Sequence, residues 1–536
     1  MLELLSWGKK LAVISLALIM TALLAMPVGI FAYAADDSTD LQESSTDMRP
    51  ESLDDSFRIL PDKDSDYKVL EIRTDNLSDD NIYSNLEAAL QYAKTYASDA
   101  EPCKIVIPAG EYTTGSLYAD RVLHVYSNTW IYAKGATITK IGEGGILRCG
   151  KAAENSSGTG AYCHIRIEGG TWDSDGMDAP KNCASFRFAH GSDITVKDLS
   201  ILNNRGSHHI ELGGVDNVTV SGCTFSGHYN DAGYGQEAIQ IDALTSDAAF
   251  PDFPYYDNSI CTNVTVTGCT FSGVFTGIGS HRYVDGSLYT GIRITDNKFS
   301  TISRYAVEGC GYQGAAITGN TVNGCGRQAM RFYCTSDSVI ADNSINASGS
   351  EGIRIGRNSC GNSISGNIVS KSGKTGIILS GGLKNRISKN RITAGSSSGI
   401  RVCSGSKSAG LSGNSISYNK GYGIYVSGSS RISSLSGNIL TGDRNREIYI
   451  TGSCRSPVKS LYAIKISSAG KKKIKGKCQK KSIIKASRNG KIIGKTRASG
   501  SMRFSMKIKK TSGGTRVKLW VYDRKGNRAV RYVKIK

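Results

Sequence analysis

The chain has 536 residues, with 62 glycines, 9 prolines and a formal charge of +20. That length exceeds one ordinary hydrophobic core, so the chain either divides into domains or extends as a repeat that adds core turn by turn. Abundant glycine with little proline, interspersed with Ile, Val and Leu, excludes both a collagen-like and a disordered chain.

Residues 1–34 carry Lys9 and Lys10, an apolar run from Leu11 to Met26, Pro27, and "AYA" before Ala35. This is the pattern of a secretory signal cleaved after Ala34, and it points to a secreted, extracellular or cell-surface protein. The run also approaches the roughly 20 residues that a membrane span needs, so retention as an anchor is the competing reading. Residues 35–65 include "DDSTDLQESSTDMRPESLDDSF", which is acidic and aperiodic and is expected to be a disordered, solvated linker. Fourteen cysteines in an exported chain permit disulfides, but they have no zinc-type spacing and read as buried small hydrophobes.

A β-helix domain is expected over 66–454. Near its start Ser84 and Glu87 form an S-x-x-E capping box ahead of "NLEAALQYAKTYA", an amphipathic helix suited to cover the open end of a solenoid. The run "IVIPAGEYTTGSLYADRVLHVYSNTWIYAKGATI" at 105–138 and "IEGGTWDSDG" at 167–176 follow. Together they resemble the entry of the pectate-lyase-like and polygalacturonase-like right-handed β-helix families. There a P-x-G-x-Y strand precedes the first coils and a G-G-T-x-D-x-x-G turn follows. The resemblance spans roughly residues 80–450 and implies the fold and superfamily.

From mid-chain one pattern recurs: "GIRITDNKF", "AAITGNTV", "SVIADNSI", "NSISGNIV", "NRISKNRI", "AGLSGNSI" and "SSLSGNIL". Its asparagines, Asn297, Asn320, Asn343, Asn367, Asn390, Asn414 and Asn438, are spaced by 23 or 24 residues. So regular a period means a solenoid. Between the asparagines lie "YAVEG", "QAMRFY", "EGIRIG", "TGIILS", "SGIRV" and "YGIYV", which leaves room for short strands and none for a helix. A parallel β-helix satisfies this. The asparagines suit a bend because they tolerate a left-handed backbone and can hydrogen-bond to copies above and below. Cys223 and Cys269 occupy the same slot in earlier turns.

Aligning the turns gives an inward column of Ile210, Ile239, Ile278, Val307, Met330, Ile353, Ile377, Ile400 and Ile424. One residue on, the solvent-facing column reads Glu211, Gln240, Gly279, Glu308, Arg331, Arg354, Ile378, Arg401 and Tyr425. Two further on it reads Gly213, Asp242, His281, Cys310, Tyr333 and Gly356. Asp242 and His281 are thus expected about 5 Å apart, with Glu211 about 8 Å from Asp242. Gly279 should leave a notch, with Asp242, His281, Glu211 and Glu308 as catalytic candidates. Glu237, Gln240, Arg282, Arg304, Tyr305, Arg331 and His209 are the candidate substrate contacts; His208 and His209 read equally well as turn residues. Tyr255 and Tyr256, in the insert "TSDAAFPDFPYYDNSICT" at 245–262, are expected to form a sugar-stacking wall.

Two chemistries fit such a notch. Glu211 and Asp242 could act as the separated acid and base of an inverting glycosidase. Alternatively a base removes the proton beside a uronate carboxylate neutralised by arginine or Ca²⁺, with His281, Tyr305 and Arg331 in those roles. Polygalacturonases carry N-T-D, D-D, G-H-G and R-I-K on successive turns, whereas the related strands here read "HHIELGG", "EAIQIDA" and "TGIGSHRY". The D-D pair is absent and His281 is displaced from the G-H-G slot, so no catalytic residue transfers by motif.

Residues 455–536 hold 27 Lys and Arg against one acid, Asp523, a net of +26 that leaves −6 for the rest of the chain. "ASRNGKIIGKTRASGSMRFSMKIKKTSGGTRVKLWVYDRKGNRAVRYVKI" alternates apolar and basic residues between turn signals, as in a small antiparallel β-sandwich. It resembles bacterial Ig-like modules with N-G-K-x-I-G, G-T and D-x-x-G-N. Its charge suits an anionic cell-wall polymer, and nucleic acid is not expected in an exported chain. The whole reads as an all-β, monomeric, secreted enzyme that cleaves glycosidic bonds of an acidic, pectin-like polysaccharide by lyase or hydrolase chemistry. The alternatives are a non-catalytic, carbohydrate-binding surface adhesin and a uronate C5-epimerase.

Overall fold

Short period-2 runs broken by glycine, serine and asparagine form strands of at most seven residues, and the chain winds them into three stacked parallel sheets. The computed structural model describes residues 55–60, 66–78, 81–115, 121–151, 154, 156–175, 184–229, 236–246, 250, 255–457, 461 and 464–536. The expected signal segment and most of the acidic linker lie outside the described residues. Among those described, no helix is long and apolar enough to cross a membrane.

Each turn adds one strand to each sheet, as a parallel β-helix requires. The first sheet runs from Lys68–Ile72 to Ile432–Ser436, with Phe57–Leu60 added antiparallel at its start. The second begins at Gly110–Thr114 and reaches Ile439–Thr441, and the third runs from Leu123–Val125 to Ile448–Ile450. In the third sheet the inward column from Ile210 to Ile424 is paired rung to rung in the expected register. All nine side chains are fully buried. Inside the coil Phe225, Phe271 and Phe299 stack face to face with centroids 4.9 and 4.7 Å apart.

The asparagines form a buried ladder at the bend between the first and second sheets. Asn367 is typical: its Nδ2 donates to Asn390 Oδ1 at 2.9 Å, and its Oδ1 accepts from the Nδ2 and backbone N–H of Asn343. The left-handed backbone falls on the residue before each asparagine, at Asp296, Gly319, Asp342, Gly366, Lys389, Gly413 and Gly437. The bend is therefore made by that neighbour, and the asparagine itself serves the ladder. Cys269 holds the same slot, its N–H donating to Asn297 Oδ1, and it and Cys223 are buried. Every described cysteine is a free thiol.

The helix spans Tyr83–Tyr96 and buries Leu86, Ala89, Leu90 and Ala93 against the first strand of the third sheet, closing that end of the core. The expected capping box does not form. Ser84 lies inside the first turn, Ile82 is the N-cap without a side-chain bond, and Glu87 instead binds the backbone N–H and Nδ1 of His124 at 3.0 and 3.1 Å.

At the other end, Lys465–Gly470, Lys473–Lys477 and Arg503–Lys507 form one antiparallel sheet. Ile483–Arg488, Lys491–Arg497, Arg516–Tyr522 and Arg528–Lys534 form a second antiparallel set. Arg528–Lys534 also pairs in parallel with Ile439–Thr441, so the module continues the second sheet of the coil. Asn438 donates through Nδ2 and its backbone N–H to Asn527 Oδ1 at 2.8 and 3.1 Å. The ladder thus gains a last rung from 89 residues further along.

Candidate active site

The outward column of the third sheet also holds its register: Glu211 pairs with Gln240, Gln240 with Gly279, Gly279 with Glu308 and Glu308 with Arg331. These side chains are not simply solvent-facing. Glu211, Gln240, Asp242 and Glu308 are all buried. Leu244 and Phe250 fold back over Gly213, where a Cβ would lie 2.6 Å from the Phe250 ring. Gly279 leaves no notch either, because the Glu237 side chain crosses it and a Cβ there would meet Glu237 Cγ at 2.3 Å.

His281 joins Asp242 without strand pairing. The strand Thr276–Gly279 ends two residues earlier, and Asp242 Oδ1 accepts the backbone N–H of His281 and Arg282 at 3.1 and 3.2 Å. Gln240 Nε2 donates to Asp242 Oδ2 at 2.9 Å. His281 Nδ1 then lies 3.4 Å from Asp242 Oδ2 and 3.7 Å from Glu237 Oε1. Asp242 and Glu237 are almost wholly enclosed, whereas the His281 side chain is 31% exposed. Glu237 Oε2 and His281 Nδ1 make no hydrogen bond.

Burial pushes the Glu237 carboxyl up to about 7, with His281 opposing and the charges of Asp242 and Glu308 adding to the rise. Burial also raises Asp242, against the pull of His281 and the Gln240 bond. For His281 burial acts downward, but the negative charges of Asp242 and Glu237 outweigh it and hold the imidazole above its ordinary value. The imidazole is thus the basic, partly open member of an enclosed acidic cluster.

Glu211 is not part of that cluster. Its Oε2 forms a buried ion pair with Arg187 Nε at 2.7 Å, and the Arg187 guanidinium sits over the Phe250 ring. A carboxylate so neutralised and enclosed has neither a path to water nor a face toward a sugar. Arg187 was findable: extending the columns one turn back to "SFRFA" places it opposite Glu211. Glu308 pairs with Arg331 at 2.9 Å, and burial raises its pKa against that arginine.

His209 is turned into the coil. Its Nε2 lies 3.0 Å from the Ser226 carbonyl and its ring packs on Phe225 and His228, with burial lowering its pKa to about 4. The strand alternation starts only at Ile210, and the same corner holds Ala238, Ala306 and Ala329 in other turns, all buried. His208 Nδ1 sits 3.4 Å from Glu237 Oε2 beneath the cluster, and burial lowers its pKa to about 3. Tyr256 donates its hydroxyl to the Phe250 carbonyl and packs on the Leu244–Phe250 patch, so it is committed to the loop and not to a sugar wall. Tyr255 is exposed, and its carbonyl lies 3.1 Å from His190 Nε2. The insert residues 247–249 and 251–254 lie outside the described residues.

Beyond Glu308 the surface is basic. A groove of about 510 Å³ is lined by Tyr305, Arg327, Gln328, Arg331, Arg354 and Lys374, among others. Arg331 Nη1 donates to the Tyr305 hydroxyl at 2.9 Å, and Arg304 and Arg331 lie 5.1 and 5.4 Å from the Tyr305 ring centre. Arg282 is exposed beside His281. Arg327 and Lys374 were not visible in the columns because they stand at the bends before the strands.

Residues 257–455 match the family described as periplasmic copper-binding protein (NosD). Among the described residues no group of three His, Cys, Asp or Glu side chains is placed to hold a metal ion. Comparison with curated proteins finds no match. Among solved structures, the chain is similar to the surface adhesin PfbA of Streptococcus pneumoniae, at 17% identity and TM-score 0.47, over 85% of this chain and 94% of that one. It is also similar to the A-module of the Azotobacter vinelandii mannuronan C-5 epimerase AlgE6, at 14% identity and TM-score 0.44, over 72% and 97%. A third similarity is to tailspike protein 3 of bacteriophage CBA120, at 13% identity and TM-score 0.40, over 73% and 61%.

Proposed function

We propose that this is a secreted enzyme that removes the proton beside a uronate carboxylate in an acidic polysaccharide, with His281 as the base. The observation that carries this reading is a partly open imidazole, backed by the enclosed carboxylates of Asp242 and Glu237, one turn of the coil from Glu308 and its partner Arg331, which lines the basic groove. The carboxylates of Asp242 and Glu237 face Nδ1 at 3.4 and 3.7 Å, which leaves Nε2 as the atom for substrate. Arg282, Arg304 and Arg331 neutralise the uronate carboxylate, which stabilises the charge that develops when the neighbouring carbon loses its proton. In a lyase the electron pair left on that carbon forms the double bond as the glycosidic C–O bond breaks, and the leaving oxygen takes a proton from solvent. In an epimerase the carbon is reprotonated on its opposite face. Hydrolysis by Glu211 and Asp242 is disfavoured, because Arg187 already occupies Glu211.

The test is incubation with pectic, alginate and neutral polysaccharides, with and without chelator, following unsaturated-uronate absorbance, reducing ends and uronate stereochemistry separately. Unsaturated ends or inverted uronates are the expected result. Reducing ends without unsaturation would move the reading to hydrolysis. An unaltered set of polymers would leave a binding rod of the adhesin kind.

A further inference from the structure

In the terminal module the sheet formed by Lys465–Gly470, Lys473–Lys477 and Arg503–Lys507 turns Ile474, Phe504 and Met506 inward. Its other face is exposed and cationic. Lys473, Lys475 and Lys477 alternate with buried residues along one strand, and Arg503 and Lys507 do so along the next. The register sets like charges directly opposite one another: Lys473 faces Lys507, Lys477 faces Arg503, and Lys465 faces Lys477. Opposed like charges destabilise a sheet. Nothing in the module offsets them, since its single acid, Asp523, spends its carboxylate inside its own turn on the N–H groups of Lys525 and Asn527 and on Asn527 Nδ2. A groove of about 750 Å³ is lined by Lys465, Lys475, Lys477 and Arg503 together with three serines and Phe504.

We propose that this face is a second binding site, separate from the His281 centre, for a linear saccharide polymer that carries repeated monoanionic groups. Lysines are mobile point charges and suit closely spaced carboxylates or phosphodiesters along a flexible chain, while the serine hydroxyls match sugar hydroxyls. Binding relieves the cross-strand repulsion and releases counterions from the polymer, so affinity falls with salt. The shared rung between Asn438 and Asn527 fixes the site to the rod, so the polymer would be held at one end of the coil while its neighbours meet the groove.

The experiment measures retention of the full chain on polygalacturonate, the phosphodiester-containing polysaccharide phosphomannan and duplex DNA over a range of salt. The expected result is binding to a saccharide polymer that weakens linearly in log–log against salt. The triple variant Lys475→Ala, Lys477→Ala, Arg503→Ala should lose at least tenfold in affinity. Lys480→Ala, Lys481→Ala, Arg524→Ala, which removes equal charge from another part of the module, should lose less than twofold. Preference between the two saccharide polymers tells carboxylate from phosphodiester recognition. Equal loss in both triple variants, no retention, or preference for DNA would overturn the proposal. Retention is read without turnover, so it stands or falls apart from the His281 chemistry.

Discussion

At His281 one imidazole stands between two buried carboxylates and the solvent, and those carboxylates hold its pKa above the ordinary value, which sets the pH dependence of the proposed base. A base must be neutral to accept a proton, and the raised pKa of His281 places the acidic limb of kcat/KM above its ordinary 6.5, with activity rising as pH increases through it. Asp242→Asn removes the nearer negative charge while keeping an oxygen for the N–H groups of His281 and Arg282. That limb should then move to lower pH by roughly one unit, measured as a pH profile on a soluble polyuronate. A profile that does not move would separate Asp242 from the base. Glu237 adds to the same effect: its carboxyl, near 7, gains negative charge as pH rises through that value and so favours the protonated imidazole.

Each strand and bend contributes to the scaffold through repetition. Asn367 gives up three donor contacts, to Ile340 O, Ser365 O and Asn390 Oδ1, and accepts two from Asn343. Asn367→Ala strands several of those partners in a dry interior, and the expected cost is about 3 kcal/mol in denaturant unfolding. Asn346→Ala removes an exposed bond to Asn323 and one from the Ser370 hydroxyl, both near the surface, and should cost under about 1 kcal/mol. Equal effects would mean that the ladder is ornamental. This level of organisation was legible in the sequence, because a period of 23 or 24 fixes which side chains stack and the pleat fixes which face inward. Burial of the outward column was not legible. It comes from Glu237 reaching across Gly279 and from Leu244 and Phe250 folding over Gly213, contacts that no periodicity encodes. The same limit misplaced His209, which sits at a corner where alternation has not yet begun, and hid Arg187, which lies one turn before the aligned columns.

Over the whole molecule the terminal module and the coil share a sheet, the asparagine ladder and a buried ion pair between Arg531 and Glu447. Burial raises the Glu447 carboxyl to about 7, Arg531 opposing. A carboxyl raised in the folded state binds its proton more tightly there, so its burial is tolerated at low pH and becomes costly as pH rises through 7. Arg531→Ala leaves that charge unpaired. Its penalty in Tm should be small at pH 5 and largest above pH 8, where breaking a buried pair costs about 3–5 kcal/mol. A penalty independent of pH would show that Glu447 is not the group involved. The joint was invisible in the sequence because Asn527 lies 89 residues beyond Asn438, outside the repeat whose ladder it completes.

The central claim, proton removal by His281, is tested most directly with a polyuronate deuterated at the carbon beside its carboxylate. Wild-type chain should turn over the labelled polymer several-fold more slowly than the unlabelled one, and His281→Ala should lower the unlabelled rate by about 10²–10⁴-fold. Turnover at the same rate on both polymers, or a His281→Ala variant as active as the wild type, would contradict it.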